Sequence, residues 1–394
     1  MGGDARASSF FFATFIRPLV LDMASLLSRV SASGYQLLFR SLARRRPPQA
    51  RPIKLEQRAR VLCFTCAGIG DTLTDSVVFK ALRETFPEAH LAGVVHRRRR
   101  LLLEHNPYVD QVFVFHKGPL AFWRLQKELR AAGPWDAILQ LRGNDPEPRC
   151  LSYLVDPDIT VSVPNMTRLS ELCGHQVVQP DWDATHGVEQ TLRIARHVGA
   201  STQEPHLVYH VHEEERARVD EKLRRMLIGS KHRLVLQLGG GRRAAWRDWP
   251  MKRYAELIRL VAAESEAEIF VLGGADQEER RRELDGHFPD PAKPYHDMVG
   301  KLSLAESAAL LAGAQALVST DTGIMHLGFA VNTRVVALIH CNNPASRVGP
   351  YCYGNRHRVV QLARPANYRT PVDANMADIS AESVFLRLKE IWPA

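Results

Sequence analysis

Residues Arg60-Val-Leu-Cys-Phe-Thr65-Cys-Ala-Gly68-Ile-Gly70-Asp71 and the stretch Thr72–Thr85 behind them decide the architecture. Arg60–Thr65 is a short apolar run of the kind that fills a strand buried on both faces. It ends in a loop with two glycines. A helical period then runs from Thr72 to Thr85, and Pro87 ends it. Strand, glycine loop and helix together open a parallel α/β unit. Outward from this unit the alternation repeats, with strands expected at His90–Val95, Gln111–Phe115 and Asp136–Leu141 and a helix at Ala121–Ala132. A parallel sheet with crossover helices follows.

Residues 144–212 are less regular, with a helix expected near Val188–His197. A charged helix, Glu213–Ile228, is closed by Gly229-Ser230, and a second series begins. Its strands are expected at Leu234–Leu238, Glu268–Leu272, Ala316–Ser319 and Arg334–Ile339. Its helices are expected at Met251–Ser265, Gln277–Leu284 and Ala305–Ala312, with another between the last two strands. The organisation is an N-terminal arm (1–56), a first Rossmann-like domain (57–210) and a second (211–394) that includes a C-terminal helix.

Of the 394 residues, 45% are hydrophobic and 24% charged, which excludes a disordered, collagen-like or multi-span membrane chain. Six cysteines are too sparse for a disulfide framework at this length, so a reducing compartment is expected. The net charge is +9, but eleven Lys/Arg against three acidic residues lie in positions 1–60, leaving 41 against 40 in the body. A nearly neutral body argues against a nucleic-acid partner.

The arm begins with the apolar run Ala7–Ile16, about half of what a bilayer span needs. Leu19–Leu42 carries apolar residues at loose helical spacing, interrupted by Asp22, Arg29 and Arg40, and Arg44-Arg45-Arg46 follows. A basic amphipathic segment on an anionic membrane fits this pattern. A helix docked on the body, a disordered tail and an organelle transit peptide fit it as well.

Three loops at strand ends, where open α/β sheets bind ligands, carry candidate chemistry. In Gly68-Ile-Gly70-Asp71 the glycines admit a close backbone approach. Asp71 reads either as a helix N-cap or as a general base facing the interdomain cleft. A dinucleotide fingerprint is absent, because Leu73 stands where the third glycine is required. The second loop, Gly239-Gly240-Gly241-Arg242-Arg243-Ala-Ala-Trp-Arg247, reads as a diphosphate cradle or as a solvated basic loop. The third, Ser319-Thr-Asp321-Thr322-Gly323-Ile-Met-His326, joins acceptor side chains to a helix start suited to an anion, with His326 one turn in.

At these residues the sequence resembles glycosyltransferase family 9, the bacterial lipopolysaccharide heptosyltransferases. The family pattern is matched by Gly70-Asp71, Arg247-Asp-Trp249-Pro250 and Asp321-Thr322-Gly323-Ile-Met-His326, with Val271–Asp276 and Val299–Leu304 between the last two. Order and intervals agree over roughly residues 58 to 362. Three positions depart from the pattern. Arg247 replaces the family lysine, Arg242-Arg243 is more basic than usual, and Leu327-Gly328-Phe329 is bulkier.

The resemblance implies a GT-B fold of two Rossmann-like domains facing a cleft. The second domain would bind a nucleotide-sugar, typically ADP-heptose, and the first a lipopolysaccharide-core or related glycan acceptor. Asp71 would be the base of an inverting, metal-independent transfer, with Gly70 beside it on the acceptor side. Arg247, Gly239, Gly240, Gly241 and Arg243 would steady the leaving diphosphate, together with the helix start at Thr322-Gly323. Asp276 would hold the nucleoside, and Asp321 and His326 the sugar and phosphates. No cofactor is implied.

Asp156-Pro-Asp158 and Asp181-Trp-Asp183 have metal-site spacing in other glycosyltransferases, but neither follows a clear buried strand. Cys63 and Cys66 read as buried thiols. His96-Arg97-Arg98-Arg99-Arg100 is either a solvated face or a grip on an anionic acceptor. With the arm, it fits a peripheral protein on the inner face of the cytoplasmic membrane. A family 9 enzyme with another sugar and acceptor, a non-catalytic nucleotide-sugar sensor of the same fold, and an NAD-dependent dehydrogenase are the alternatives. The missing third glycine counts against the last.

Overall fold

The computed structural model describes residues 34, 55–142, 146–163, 175–176, 181, 184–229, 232–240, 242–290 and 293–392. The arm, apart from Gly34, Leu55 and Glu56, lies outside them, as does Gly241. The side chain of Arg243 is also outside the description.

The first half is built from β1 (Arg60–Thr65), α1 (Ile69–Thr85), β2 (His90–His96), α2 (Arg100–Glu104), β3 (Gln111–Phe115), α3 (Pro119–Ala132), β4 (Ala137–Arg142), α4 (Pro146–Val155), β5 (Ile159–Ser162), β6 (His175–Gln176) and α5 (Gly187–His197). Its strands form one sheet in the order β3-β2-β1-β4-β5-β6, every pairing parallel. β1 pairs from Arg60 with His90 to Thr65 with Val95, which aligns the ends of β1 and β2.

The second half follows α6 (Glu213–Arg225) with β7 (Arg233–Gln237), α7 (Met251–Glu264), β8 (Glu268–Leu272), α8 (Glu278–Gly286), β9 (His296–Asp297), α9 (Leu304–Ala312), β10 (Ala316–Thr320), α10 (Gly323–Ala330), β11 (Arg334–Ile339), α11 (Ala345–Val348), β12 (Arg358–Gln361) and α12 (Ala381–Lys389). The sheet order is β12-β11-β10-β7-β8-β9, again parallel throughout. Counted from β7, this is the same doubly wound order as the first sheet. Each sheet therefore reverses direction at one place, between β1 and β4 and between β7 and β10. The carboxyl ends of strands flanking such a switch point form a crevice for ligands.

Central strands are apolar on both faces because helices cover both. Val61, Leu62, Cys63 and Phe64 are fully buried, as are Leu234, Val235 and Leu236. Helix α1 is buried from Thr72 through Leu82, packed between its sheet, α5 and α10. An apolar cluster runs without a break from Val77 and Leu192 in the first half to Met325, Leu327 and Phe329 in the second. The segment 206–212 crosses between the halves. The Leu207 N–H donates to the Tyr353 hydroxyl (3.1 Å), and His206 stacks on the Tyr353 ring at 4.7 Å. Among the described residues no helix is long and apolar enough to cross a membrane.

Expected and observed elements differ mainly at edges. Helix α1 starts at Ile69, not Thr72, because Gly68 takes extended backbone and serves as the N-cap. The basic stretch Arg242–Arg247 forms 3-10 turns where a loop was expected. Strands β5, β6, β9 and β12 and helix α4 lie where no regular element was expected.

Candidate active site

Two strand-to-helix turns meet across the cleft. In the first, β1 delivers the chain to Gly68 and α1. Asp71 sits at the third helical position, and its Oδ2 accepts the Gly68 N–H at 3.1 Å. It is therefore not the N-cap. One carboxylate oxygen closes the helix start, and Oδ1 faces Arg142 Nη1 at 3.2 Å. The side chain remains 46% exposed, so the carboxylate is both oriented and open to solvent or substrate.

One turn on, Asp75 is completely buried and accepts from the Thr65 hydroxyl (2.7 Å) and Arg142 Nε (3.2 Å). Burial pushes its carboxyl up to about 7, against the opposing pull of Arg142 and Thr65. Arg142, the last residue of β4, also donates Nη2 to the Gly187 carbonyl. A single guanidinium thus ties both aspartates of α1 to the start of α5.

In the second turn, β10 ends at Thr320 and α10 begins with Thr322 as an N-cap that makes no side-chain cap bond. Met325 N–H turns back to the Thr322 carbonyl at 3.1 Å, which leaves the Gly323 and Ile324 N–H groups and the positive end of the helix dipole to an external partner. Asp321, 7% exposed in its side chain, accepts from Arg247 Nη1 (3.0 Å) and Asn343 Nδ2 (2.7 Å), and His326 Nε2 lies 3.8 Å from its Oδ1. Burial works against its charge, but the His326 ring, Arg247 and Asn343 outweigh it and hold the carboxyl below its usual range.

The Gly239-Gly240 turn follows β7. Gly239 has φ +122°, a backbone that favours glycine, and a β-carbon there would run into the Asp248 carboxylate. That carboxylate accepts the Gly240 N–H at 2.7 Å and faces Arg280 at 3.6 Å. Arg280 also donates to the Leu238 and Trp249 carbonyls (2.5 and 2.7 Å). Trp249 is buried, its indole N–H given to the Ile379 carbonyl at 2.9 Å. The motif's tryptophan thus anchors the segment that carries Arg247. A β-carbon on Gly240 would lie 3.5 Å from Arg247 Nε and 3.6 Å from the Thr322 methyl. Gly240, Arg247 and Thr322 therefore share one corner. Arg247 Nε is buried there without a partner.

The two turns touch. A β-carbon on Gly70 would lie 2.6 Å from His326 Cδ2, and one on Gly323 would lie 2.7 Å from Ile69 Cβ. Beside them, His186 stacks on Tyr351 (4.6 Å) and donates its Nε2–H to the Gly349 carbonyl at 3.0 Å. Its Nδ1 accepts the Val188 N–H at 3.1 Å. Burial drives this imidazole down to about 4.

The structure therefore gathers Gly70, Asp71, Gly240, Arg247, Asp321, Thr322, Gly323 and His326 around one cleft. Asp276 and the Arg97–Arg99 triplet stand one strand away. Asp276 is exposed just beyond Gly273-Gly274 at the end of β8, with no ion pair among the described residues. Arg97, Arg98 and Arg99 form a 3-10 turn at the end of β2, also without an ion pair among the described residues. Sequence reasoning missed Arg142, Asp75, His186, Asn343 and Tyr351. An arginine closing the strand beside β1, and an aspartate four residues after Asp71, were the signals that could have found the first two.

Among the described residues no group of three or more His, Cys, Asp or Glu side chains could hold a metal ion. Cys63, Cys66, Cys150 and Cys341 are buried, and Cys352 is exposed.

Two doubly wound domains whose strand-to-helix turns meet, Gly70 against His326 and Gly323 against Ile69, define the GT-B class. The model of glycosyltransferase family 9 (heptosyltransferase) matches residues 122–371, well over half of the sequence, and the chain belongs to that family. It is 27% identical over 145 residues to lipopolysaccharide heptosyltransferase 1 of Escherichia coli K12, covering 37% of this chain and 40% of that protein. Matches to curated relatives span well under half of the relatives' length. Among solved structures, the fold is similar to a glycosyl transferase family 9 protein from Veillonella parvula (TM-score 0.75, 18% identity, 87% of this chain and 99% of that one). It is also similar to the E. coli ADP-heptose lps heptosyltransferase II (TM-score 0.70, 19% identity, 84% and 98%).

Proposed function

We propose that this protein is an inverting, metal-independent glycosyltransferase that moves heptose from ADP-heptose to a hydroxyl of a lipopolysaccharide-core or related glycan. The observation that carries the proposal is the apposition of Asp71, oriented by Arg142 and half exposed, to the Asp321–His326–Arg247 cluster across a cleft closed by Gly70 and Gly323. The acceptor hydroxyl attacks the anomeric carbon from the face opposite the diphosphate. Its proton passes to a carboxylate oxygen of Asp71 as the new glycosidic bond forms. The bond from the anomeric carbon to the diphosphate breaks, and its electron pair leaves with the diphosphate. Negative charge gathers there, and in this proposal Arg247, the Gly239-Gly240 turn, Thr322 and the Gly323 and Ile324 N–H groups take it up. The unpartnered Arg247 Nε supports that role. Asp321 and His326 orient the sugar. Gly241, Arg243 and Asp276 complete the donor side in this proposal, and Arg97, Arg98 and Arg99 grip the anionic acceptor. The basic arm holds the protein at the inner face of the cytoplasmic membrane.

Asp71→Asn tests the assignment. The amide still accepts the Gly68 N–H but takes no proton. With ADP-heptose and a heptose-free core acceptor, turnover is expected to fall by about 10²–10⁴-fold with donor affinity kept. Full turnover by this variant would remove Asp71 as the base. No consumption of ADP-heptose by the wild type with acceptor present would overturn the donor.

A further inference from the structure

Helix α3 buries Phe122, Leu125, Gln126 and Leu129 against its sheet and turns the opposite face outward. That outer face does not read as an ordinary solvated one. It starts with Leu120, 87% exposed, and Trp123, 52% exposed, and continues one turn on with Arg124 and Lys127. Leu120 and Trp123 are three residues apart and therefore neighbours on the helix. Two large apolar side chains on the first turn of a helix, kept in water, gain nothing for the fold.

The charge around them has one dominant sign. The pairing of His96 with Phe115 sets the end of β2 beside the end of β3. The Arg97–Arg99 turn and the entry to α3 thus leave the sheet side by side. Leu101, in the helix after the arginines, is also exposed. Arg97, Arg98, Arg124 and Lys127 are exposed and make no ion pair among the described residues. Glu128 is the acidic residue on the same stretch of α3. An apolar tip flanked by unpaired cations matches the boundary of an anionic bilayer, where headgroups take the cations and acyl chains take the leucine and indole. A protein partner would also have to supply this ordering of an apolar centre within a basic rim, which a lipid surface supplies by its own layering.

We propose that Leu120 and Trp123 insert into an anionic lipid surface, with Arg97, Arg98, Arg124 and Lys127 on its headgroups, so that the folded body docks independently of the N-terminal arm. The patch lies at the same carboxyl end of the sheet as Asp71, two strands from it. Docking therefore turns the mouth of the cleft toward the lipid. This orientation rests on the reading of the reaction given above. The docking itself does not.

The arm contains no tryptophan, so indole quenching reports on the body alone. The full chain is mixed with vesicles of phosphatidylcholine, with or without phosphatidylglycerol, whose acyl chains carry bromine. Quenching is expected only with the anionic vesicles and is expected to be lost in Trp123→Phe. Leu120→Ser/Trp123→Ser and Arg124→Glu/Lys127→Glu are each expected to weaken vesicle binding about tenfold or more, because these exposed side chains contribute directly to the membrane contact. Circular dichroism is expected to match the wild type and melting to shift only slightly, since Arg124, Lys127 and Leu120 lie on the outer face and Trp123 touches the core only edge-on, through Phe122 at 5.3 Å. Equal quenching in wild type and Trp123→Phe would overturn the proposal, as would binding that ignores lipid charge. A lipid-free change in oligomeric mass in Leu120→Ser/Trp123→Ser would assign the patch to a second copy of the chain instead. Failure of the transferase assay with intact quenching would remove the reaction and leave the docking.

Discussion

Gly70 and His326 meet across the cleft so closely that a single added β-carbon would stand 2.6 Å from the imidazole. One residue lies on the second position of α1 and the other in the first turn of α10. Their contact couples the turn that starts α1 to the turn that starts α10.

Gly70→Ala is expected to separate stability from activity. Alanine favours a helix over glycine by about 1 kcal/mol. The clash falls on a side-chain ring that can move, so the melting temperature is expected to change by no more than about 4 °C. The displaced ring is the one facing Asp321, so turnover is expected to fall by at least about tenfold, since a misplaced group of about 1 Å can lower rates up to 10²-fold. Paired melting curves and steady-state kinetics check this. A variant as active as the wild type would show that the contact has no part in the chemistry.

Arg142→Leu leaves buried Asp75 without its cation and the Gly187 carbonyl without a donor. Removing one partner of a buried pair costs about 3–5 kcal/mol. Chemical denaturation is expected to show a loss of that order. It also frees Asp71, so activity is expected to fall further than unfolding alone accounts for.

Asp75 and His186 impose opposite pH slopes on stability. The folded state holds the Asp75 proton up to about 7, above the ordinary carboxylate value of 3.8. Between these pH values the native state binds more protons than the unfolded one, so this group's contribution falls as pH rises, by at most about 4 kcal/mol. Asp75→Asn is expected to flatten that fall, which stability measurements from pH 4 to 7 would reveal.

His186 works the other way. Its folded value of about 4 lies below the ordinary imidazole value of 6.5, because the ring is buried and its Nδ1 must stay free to accept from Val188. The unfolded state binds more protons between pH 6.5 and 4, so stability is lost as pH falls through that window, by about 3 kcal/mol. His186→Gln is expected to remove the acid sensitivity at the Tyr351 contact. An unchanged acid limb would place it elsewhere, with His357 next in line because burial drives it down to about 3.

Arg247→Lys restores the residue type usual in the family at this position. Charge is kept, but the planar fork that spans Asp321 and the Gly240 corner is lost. The donor KM is expected to rise by about three- to tenfold with kcat less affected, whereas Arg247→Met is expected to lower both kcat and donor affinity. Equal kinetics for Arg247→Met and wild type would exclude a role on the diphosphate.

Much of this architecture was legible along the chain, and the misses share a cause. β1, β2, β8 and β11 are largely apolar runs because both faces are covered, and they and the edge strand β3 fell within a residue of the expected bounds. β6 and β9 have two residues each and β12 four, too few for a periodic signal. The glycine loops and the Asp-Thr-Gly-x-x-His run are contiguous, so their order could be read directly. Arg142 and Asp75 are 67 residues apart, and Asp321 and Asn343 are separated by a whole strand and helix. No local pattern links them.

The sequence by itself determined two parallel α/β halves, their central strands and the turns that bear Asp71, Arg247 and Asp321. Burial periodicity and turn chemistry are local properties, written over a few consecutive residues. Only the tertiary structure decided that Asp71 is the third residue of its helix, held by an arginine from β4. It alone brought Gly70 against His326 and Gly323 against Ile69. Those contacts depend on how two separately wound sheets pack at their switch points, a balance of side-chain volumes and buried charges over hundreds of residues. No short stretch of the chain contains that balance.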